Sequence, residues 1–248
     1  MFHIVVILSF SNSNLQAKEY IIGVEDVNYY PFYDFSADEL DRKSFTNELL
    51  STFFRRQGYK FKFVSLPLKR FDKWYVEEAI DFKFPDNERW RVGESKKLNI
   101  TYSKPVLRLI AGTFVLKKNK DKPRKAIKRL GTIFGFFPTL WYDRMLDNTI
   151  ELVEASSSYS LVKHLLYGNV DGINIDNNVI SYNLKLLQED EGVIVLNKHI
   201  NHERYAYYFS TILYPQVIQE FDEFLSENSQ LVAEIKTKYG IVETLENF

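Results

Sequence analysis

The sequence predicts an α/β protein made of two lobes. Of its 248 residues, 45% are hydrophobic, which is enough apolar material for a large core or for two modest lobes that share a cleft. Runs with the two-residue period of strands alternate with runs of helical period, a pattern typical of βαβ units. The alternation begins again near Thr132, which indicates a second α/β lobe.

Charge and cysteine content exclude several classes of partner. The chain has 32 basic and 33 acidic residues, and its net charge of −1 provides no electrostatic case for a nucleic acid or an anionic membrane as partner. It contains no cysteine, which excludes disulfides, thiolate nucleophiles and cysteine metal sites. We therefore expect a small polar ligand, no cofactor, and a monomer.

The first 17 residues have the layout of a signal peptide. An apolar run at 4–10 precedes a polar stretch at 11–14. Residues 15–17 then resemble the small-residue cleavage site of a signal peptide, which ends at Ala17, just before Lys18. We predict removal after Ala17 and hence export. The segment before the apolar run has no Lys or Arg, so a buried first strand is the alternative.

The elements of the first lobe follow from hydrophobic period and stop signals. Residues 20–24 form a buried apolar run that leads into an aromatic, turn-rich stretch at 26–32. Residues 44–57 carry apolar side chains at helical spacing, and Gly58 suits the end of a helix. Alternation at 59–63 predicts the next strand. A right-handed crossover would make these two strands parallel.

Later segments extend this pattern into the second lobe. A helix is predicted at 69–79, a strand from 80, an apolar segment at 106–116, and an exposed basic connection with a short helix at 117–129. For the remainder, strands are predicted at 132–135, 150–153, 172–175, 193–196 and 205–209, and helices at 140–146, 156–167, 215–225 and 229–239.

Several short motifs, in order, resemble one protein family. They are Ile22-Gly23-Val24 with Tyr30-Pro31-Phe32, Arg56-Gln57-Gly58-Tyr59, Asn99 to Pro105, Gly168-Asn169-Val170-Asp171-Gly172 with Asp176, and Lys238-Tyr239-Gly240-Ile241. Across roughly residues 20–241 the chain resembles the extracytoplasmic (periplasmic) solute-binding proteins of family 3, the type that serves polar-amino-acid ABC transporters. It resembles them as a divergent member.

The resemblance implies a type II periplasmic-binding-protein-like fold with two hinge crossovers. These would lie near 106–113 and 203–209, with lobe 1 at 18–109 and 207–248 and lobe 2 at 110–206. The ligand would be held between strand-end loops and helix N-termini, which present backbone N–H groups to anionic atoms. A periplasmic location follows from the same resemblance.

Two charged residues match the family's amino-acid clamp. By this resemblance Arg89 would bind the ligand carboxylate and Asp176 the ammonium group. The alternatives are a surface arginine in a charged loop and a helix N-cap. The chain departs from the family at residues 82–87, which replace the glycine- and threonine-containing stretch that family members carry before that arginine.

Four further residues are candidates for the ligand site. Tyr30 and Trp90 lie in or beside predicted strand-end loops, where rings can hold an apolar or cationic part of a ligand, or else pack in the core. Arg70 begins a helix after a strand, and solvent exposure is its alternative. Thr139 is placed to donate a hydroxyl near a helix N-terminus or to serve as an N-cap.

Motifs for catalysis and metal binding are not found in the sequence. His199 and His202 lack the helical i, i+4 spacing and intervening Glu of a zinc protease, and no nucleophile elbow or nucleotide-binding glycine loop occurs. We therefore expect a protein that captures a small polar ligand for ABC-type uptake, and no enzyme. Partnership with a membrane sensor is the alternative to a permease, and an enzyme derived from the binding fold is the third possibility.

Overall fold

A computed structural model describes residues 18–36, 43–91 and 96–243. The predicted signal peptide at 1–17 lies outside the described residues. Within these ranges, no helix has the length and apolar character needed to cross a bilayer.

The strands, numbered in chain order, occur in two large sheets and one short hairpin. They are β1 Glu19–Glu25, β2 Asn28–Tyr29, β3 Tyr33–Asp34, β4 Lys60–Leu66, β5 Phe82–Asp86, β6 Thr101–Tyr102, β7 Leu107–Ala111, β8 Phe114–Leu116, β9 Arg129–Ile133, β10 Glu151–Ala155, β11 Gly172–Ile173, β12 Ile194–Leu196 and β13 Glu203–Thr211.

The helices lie between the strands in the first part of the chain and follow one another at its end. They are α1 Phe45–Arg56, α2 Phe71–Val76, α3 Tyr142–Leu146, α4 Ser158–Leu166, α5 Asn177–Leu187, α6 Pro215–Glu227 and α7 Ser229–Lys238. Single 3₁₀ turns include Leu68–Arg70, Glu88–Trp90 and Thr139–Trp141.

The first sheet has the strand order β4-β1-β5-β13-β6. β1 pairs in parallel with β4 along its full length and with β5 through Ile22 to Val24, which confirms the expected parallel βαβ unit. Ile22 and Val24 are fully buried on the face covered by α1. On the opposite face, Gly23 lies against Ile80 and Phe71 with no room for a side chain, so α2 packs close to the sheet there.

Helix α1 begins and ends where the sequence predicts. The Ser44 side chain caps the helix by accepting from the backbone N–H of Asn47, and Gly58 has a φ of +69° just past the last turn. Helix α2 is shorter than the predicted 69–79, because Leu68–Arg70 forms a 3₁₀ turn and Glu77 ends the helix.

The second sheet has the order β10-β9-β11-β8-β12. β9 pairs in parallel with β10 and β11, whereas β8 pairs antiparallel with β11 and β12. Helix α4 packs on β9, where Gly131 lies so close to Leu161 that only a glycine fits without movement. The strand predicted at 132–135 in fact ends at Ile133, because the chain turns at Gly135, whose φ is +89°.

Two antiparallel strands join the sheets. β13 pairs with β7 from Glu203 to Tyr207 and continues into the first sheet beside β5 and β6. The two expected crossover segments therefore coincide with β7 and β13. The predicted lobe boundaries, at 109/110 and 206/207, fall inside these strands. We retain those boundaries as a proposal.

The last two helices pack on the first sheet's side of the molecule. Phe221 and Phe224 of α6 contact Phe53 of α1 at ring distances of 5.0 and 5.5 Å. Lys238, at the end of α7, reaches Glu48 of α1. The C-terminal helices thus lie with the N-terminal elements, as expected for a chain that returns to its first lobe after the second crossover.

Candidate ligand-binding site

Strand ends and loops from both sheets meet around a group of buried polar residues. On the side of the first sheet, Glu25 ends β1 and the aromatic loop 26–34 follows it. On the side of the second sheet, Phe136 follows β9 and Asp176 begins α5. Parallel strands place their carboxyl ends at one edge, and that edge is where such folds bind ligands.

Asp176 is a buried carboxylate at a helix N-terminus. Its side chain caps α5 by accepting from the backbone N–H of Asn178 at 2.8 Å, and it also accepts from the Asn178 side-chain amide at 2.8 Å. Only 3% of the residue is exposed. Burial raises the pKa of Asp176 to about 6, against the lowering effect of the two Asn178 hydrogen bonds. The cap is confirmed, and the carboxylate is also an anion in a dry environment.

Tyr29 links the two sides of this region. Its phenolic oxygen accepts a hydrogen bond from the backbone N–H of Asp176 at 2.8 Å. Its ring packs against Phe136 at 5.2 Å. Burial raises the pKa of Tyr29 well above its usual value, so the phenol stays neutral. The aromatic loop after β1 therefore contacts two loops of the second sheet.

Glu25 is the second buried carboxylate. The hydroxyl of Tyr33 donates to its Oε2, and the residue is 3% exposed. Burial raises the pKa of Glu25 to about 7, although nearby Lys83 and the Tyr33 hydrogen bond both act to lower it. Glu25 therefore titrates near neutral pH.

Tyrosine rings form the wall between the two carboxylates. Tyr29 lies 5.5 Å from Tyr33, Tyr33 lies 6.5 Å from Tyr207, and Tyr207 lies 5.6 Å from Tyr205. Burial raises the pKa of Tyr205, and the charges of Asp176 and Glu25 each raise it further. Tyr205 therefore lies within electrostatic range of both carboxylates. Tyr205 and Tyr207 come from β13, the second crossover strand.

A buried ion network lies beside Glu25 in the first sheet. Lys83 donates to Asp86 at 3.2 Å, and Arg91 donates to the other Asp86 oxygen and to Asp72 at 2.6 Å. Lys83, Asp86 and Arg91 are each at most 6% exposed. Ser210 also donates to Asp86, at 2.6 Å. Asp86 is thus the shared anion of two buried cations, and the half-exposed Asp72 supplies a second carboxylate to Arg91.

Arg89 occupies a different environment from the buried arginine of this network. Its guanidinium lies 2.5 Å from Glu203 of β13, and its side chain is 57% exposed. It also contacts the carbonyl of Arg204 at 3.4 Å. A carboxylate clamp requires a guanidinium that is shielded from water. In this conformation Arg89 is a surface arginine that joins the loop after β5 to the crossover strand, and it is not brought close to the Asp176 pocket by any contact among the described residues.

The two aromatic candidates lie at the margins of the tyrosine wall. The Tyr30 ring packs against that of Tyr182 of α5 at 4.3 Å with a tilt of 45°, so it joins the same two sides as Tyr29. Trp90 packs against Tyr207 at 5.8 Å, and its ring also lies 5.8 Å from the Lys83 ammonium. Both residues are partly buried. The contacts show that both side chains pack against neighbouring rings, and their role in ligand binding stays a prediction.

The last two candidates are exposed. Arg70 ends a 3₁₀ turn ahead of α2. Thr139 is the first residue of the turn Thr139–Trp141, and Pro138, with no side-chain bond, takes the cap position that was the alternative role for Thr139. The structure places neither side chain among the buried polar residues.

Several residues of this site were not singled out from the sequence. Glu25, Tyr33, Lys83 and Tyr207 were missed, as was Asn178. The one available signal was the alternation Phe82-Lys83-Phe84 in a run of buried character, where a lysine on a covered strand face needs a partner. His199, considered as a metal ligand, lies 3.4 Å from Asp121 on the surface.

The arrangement can hold a cation or an amine. Asp176 offers a carboxylate with only neutral donors among its described hydrogen-bond partners, and the tyrosines offer ring faces and hydroxyls. A positive group in this position would compensate the buried anion and contact the rings.

Searches by sequence found no relatives. No family model matches the chain, and no curated protein matches it.

Comparison by structure found many similar folds. The arginine-, lysine-, histidine-binding protein ArtJ from Geobacillus stearothermophilus has a TM-score of 0.69 at 16% identity, over 92% of this chain and 97% of that one. A histidine kinase sensor domain with similarity to periplasmic binding proteins has a TM-score of 0.69 at 13% identity, over 92% and 99%. An ancestral amino acid-binding protein, a precursor of cyclohexadienyl dehydratase, has a TM-score of 0.66 at 15% identity, over 89% and 95%. The chain has the two-lobed α/β fold of the periplasmic binding proteins.

Proposed function

We propose that this protein is an extracytoplasmic solute-binding protein that captures a small polar ligand with an amino group, an amino acid or a related amine, in the cleft between its lobes. The observation that carries the proposal is the buried carboxylate of Asp176, a residue whose backbone N–H donates to Tyr29 of the tyrosine wall. Within the described residues, no basic side chain pairs with it.

The energetics of burial support a cationic ligand group at Asp176. An isolated carboxylate in a dry site is costly, and the pKa of Asp176 near 6 reflects that cost. An ammonium group would stabilise the ionised form and gain hydrogen bonds to the carboxylate. The neutral tyrosines nearby supply ring faces that attract cations.

Uptake through a membrane permease is the role we propose, with ligand sensing as the second candidate. The similarity of the fold to the substrate binding protein of an amino acid ABC transporter, with a TM-score of 0.66 at 13% identity, favours the first role. The similarity to a histidine kinase sensor domain favours the second. Both roles use the same closure around a ligand. We propose binding without catalysis, and incubation of a bound ligand with the protein, followed by mass spectrometry of the small molecule, tests this point.

A ligand screen tests the proposal directly. The panel comprises L-arginine, L-lysine, L-histidine, L-glutamate, putrescine and succinate, and each is tested by thermal shift and then by calorimetry. A ligand at about 100 times its Kd adds about 2.7 kcal/mol to the stability, which raises the melting temperature measurably. We expect amine-bearing compounds to bind and succinate to fail.

The variant Asp176→Asn removes the charge and keeps the shape of the side chain. We expect binding of the amine to weaken by about a hundredfold, since a charged partner is lost from a buried pair. Asp147→Asn is the matched control, because Asp147 is an exposed aspartate at the end of α3. Equal affinities in Asp176→Asn and the control would refute the proposed site.

Export is the remaining part of the proposal. We propose cleavage after Ala17, so that protein recovered from the periplasmic fraction of an expressing bacterium begins at Lys18. Intact-mass measurement of that fraction decides the matter. Protein that retains Met1 there would contradict the signal peptide.

A further inference from the structure

Asn178 connects the carboxylate of Asp176, which we propose binds the ligand, to the end of the described chain. Its backbone N–H and its side-chain amide both donate to Asp176 Oδ1 at 2.8 Å. The same side-chain amide donates to the carbonyl of Val242 at 3.1 Å, and its oxygen accepts the N–H of Val242 at 2.8 Å. One buried amide thus serves both Asp176 and the backbone of Val242.

The segment 241–243 is itself anchored to the first lobe and to a crossover strand. Ile241 is buried after α7. The Glu243 carboxylate accepts the backbone N–H of Arg108 in β7 at 2.7 Å and pairs with Lys236 of α7 at 2.8 Å. The Val242 side chain is 73% exposed, so its backbone, and not its side chain, makes the contact with α5.

These bonds join elements from the two sides of the cleft. Helix α5 lies between strands β11 and β12 of the second sheet, whereas α7 packs on α1 beside the first. The backbone of Val242 and the Asn178 amide can pair only while α5 lies close to the end of α7. Ligand closure and the pairing of Val242 with Asn178 therefore favour the same arrangement.

We infer that Asn178 is a positioning residue that fixes the ligand-facing carboxylate of Asp176, and that segment 241–243 holds Asn178 in place when the lobes close. The inference rests on the proposed function for its link to the ligand. It adds that the C-terminal segment and the ligand stabilise one another, because a coupling between two sites acts equally in both directions.

Hydrogen exchange of the free protein tests the connection without any ligand. In Glu243→Ala the segment loses its bonds to Arg108 and Lys236, and we expect the Asn178 backbone amide to exchange about threefold faster although Glu243 does not contact it. In Asn178→Ala the Val242 amide should exchange about tenfold faster, as expected for one lost hydrogen bond. Glu227→Ala, at an exposed position at the end of α6, is the control and should exchange as wild type.

The pH dependence of ligand affinity distinguishes a positioning role of Asn178 from a merely structural one. With L-arginine as the probe, the affinity of wild type should fall as the pH drops through about 6, the pKa of Asp176. Loss of the Asn178 side-chain donor should move that midpoint upward, because the bond lowers the Asp176 pKa. The titratable groups that face Asp176 from other elements are Tyr29 and Tyr205, and both stay neutral across this range.

The outcomes are distinguishable from failure of the proposed function. Unchanged Asn178 exchange in Glu243→Ala overturns the inference whether or not L-arginine binds. An unchanged midpoint in Asn178→Ala, with wild-type binding intact, also overturns it. If no panel compound binds but the exchange changes appear as expected, the proposed function fails and the connection between the segment and Asp176 stands.

Discussion

The phenolic oxygen of Tyr29 accepts the backbone N–H of Asp176 at 2.8 Å, although 147 residues separate the two in the chain. The bond brings the aromatic loop after β1 to the N-terminus of α5, and both residues are buried. Contacts of this kind between lobes hold the closed arrangement, and their removal should shift the protein towards the open one.

Tyr29→Phe should weaken binding of an amine ligand without unfolding the protein. The variant leaves the Asp176 N–H buried without its acceptor, which costs about 1–2 kcal/mol in the closed arrangement, or about tenfold in Kd. Calorimetry with the panel compounds measures the change. Tyr142→Phe is the control, since Tyr142 is exposed, and a change of the same size in that variant would contradict the prediction.

Glu25→Gln should stabilise the free protein at alkaline pH. Burial raises the pKa of Glu25 to about 7, so the folded state holds the proton more tightly than the unfolded state. Stability from this group is full below its unfolded pKa of about 4.5 and is lost as the pH rises through about 7.

The free energy of unfolding of the variant, relative to that of wild type, should therefore rise by about 2 kcal/mol from pH 5 to pH 8. Denaturant unfolding at both pH values measures it. Glu151→Gln, at an exposed position of β10, should show no such dependence. A difference between wild type and Glu25→Gln that is the same at both pH values would argue against the buried, proton-binding carboxylate.

Asp86→Asn should destabilise the protein strongly. The variant leaves the ammonium of Lys83 and the guanidinium of Arg91 buried without their shared anion. Breaking a buried pair in this way costs about 3–5 kcal/mol. Asp72→Asn is the matched control, because Asp72 also binds Arg91 but its side chain is 46% exposed, and it should cost less than about 1 kcal/mol. Equal losses of stability would contradict the role of burial.

Arg89→Ala should have small effects on stability and on ligand affinity. The ion pair with Glu203 is largely in solvent, and such pairs contribute less than about 1 kcal/mol. Urea unfolding and calorimetry with L-arginine measure both quantities. A loss of affinity greater than about tenfold, or 1.4 kcal/mol, would show that Arg89 leaves Glu203 to bind the ligand carboxylate.

The fold was predictable from the sequence where local signals and tertiary packing agree. The parallel pairing of β1 and β4 followed from the alternation around Phe61 and from Gly58, and the crossover strands followed from the family resemblance. The end of α2 was not predictable, because its apolar period continues past the residue where the chain turns.

The candidate site was predictable in part. Asp176 follows a strand and precedes a helix, so its place at the N-terminus of α5 and its cap are visible in the sequence. The burial of Lys83 and Glu25 was not predictable. It depends on which faces of their strands are covered by α2 and by the aromatic loop, and that arrangement exists only in the assembled sheet. Arg89 matches the family motif, yet its side chain is exposed and pairs with Glu203, which lies more than a hundred residues away in the chain.

The packing of Trp90 on Tyr207 has an optical consequence. The chain has three tryptophans, and Trp141 is fully buried in a separate core while Trp90 lies at the edge of the tyrosine wall. Because indole emission depends on the polarity around the ring, a change in the tyrosine wall would shift the emission of Trp90 and leave that of Trp141 unchanged. Trp90 is therefore a native fluorescent probe of the tyrosine wall.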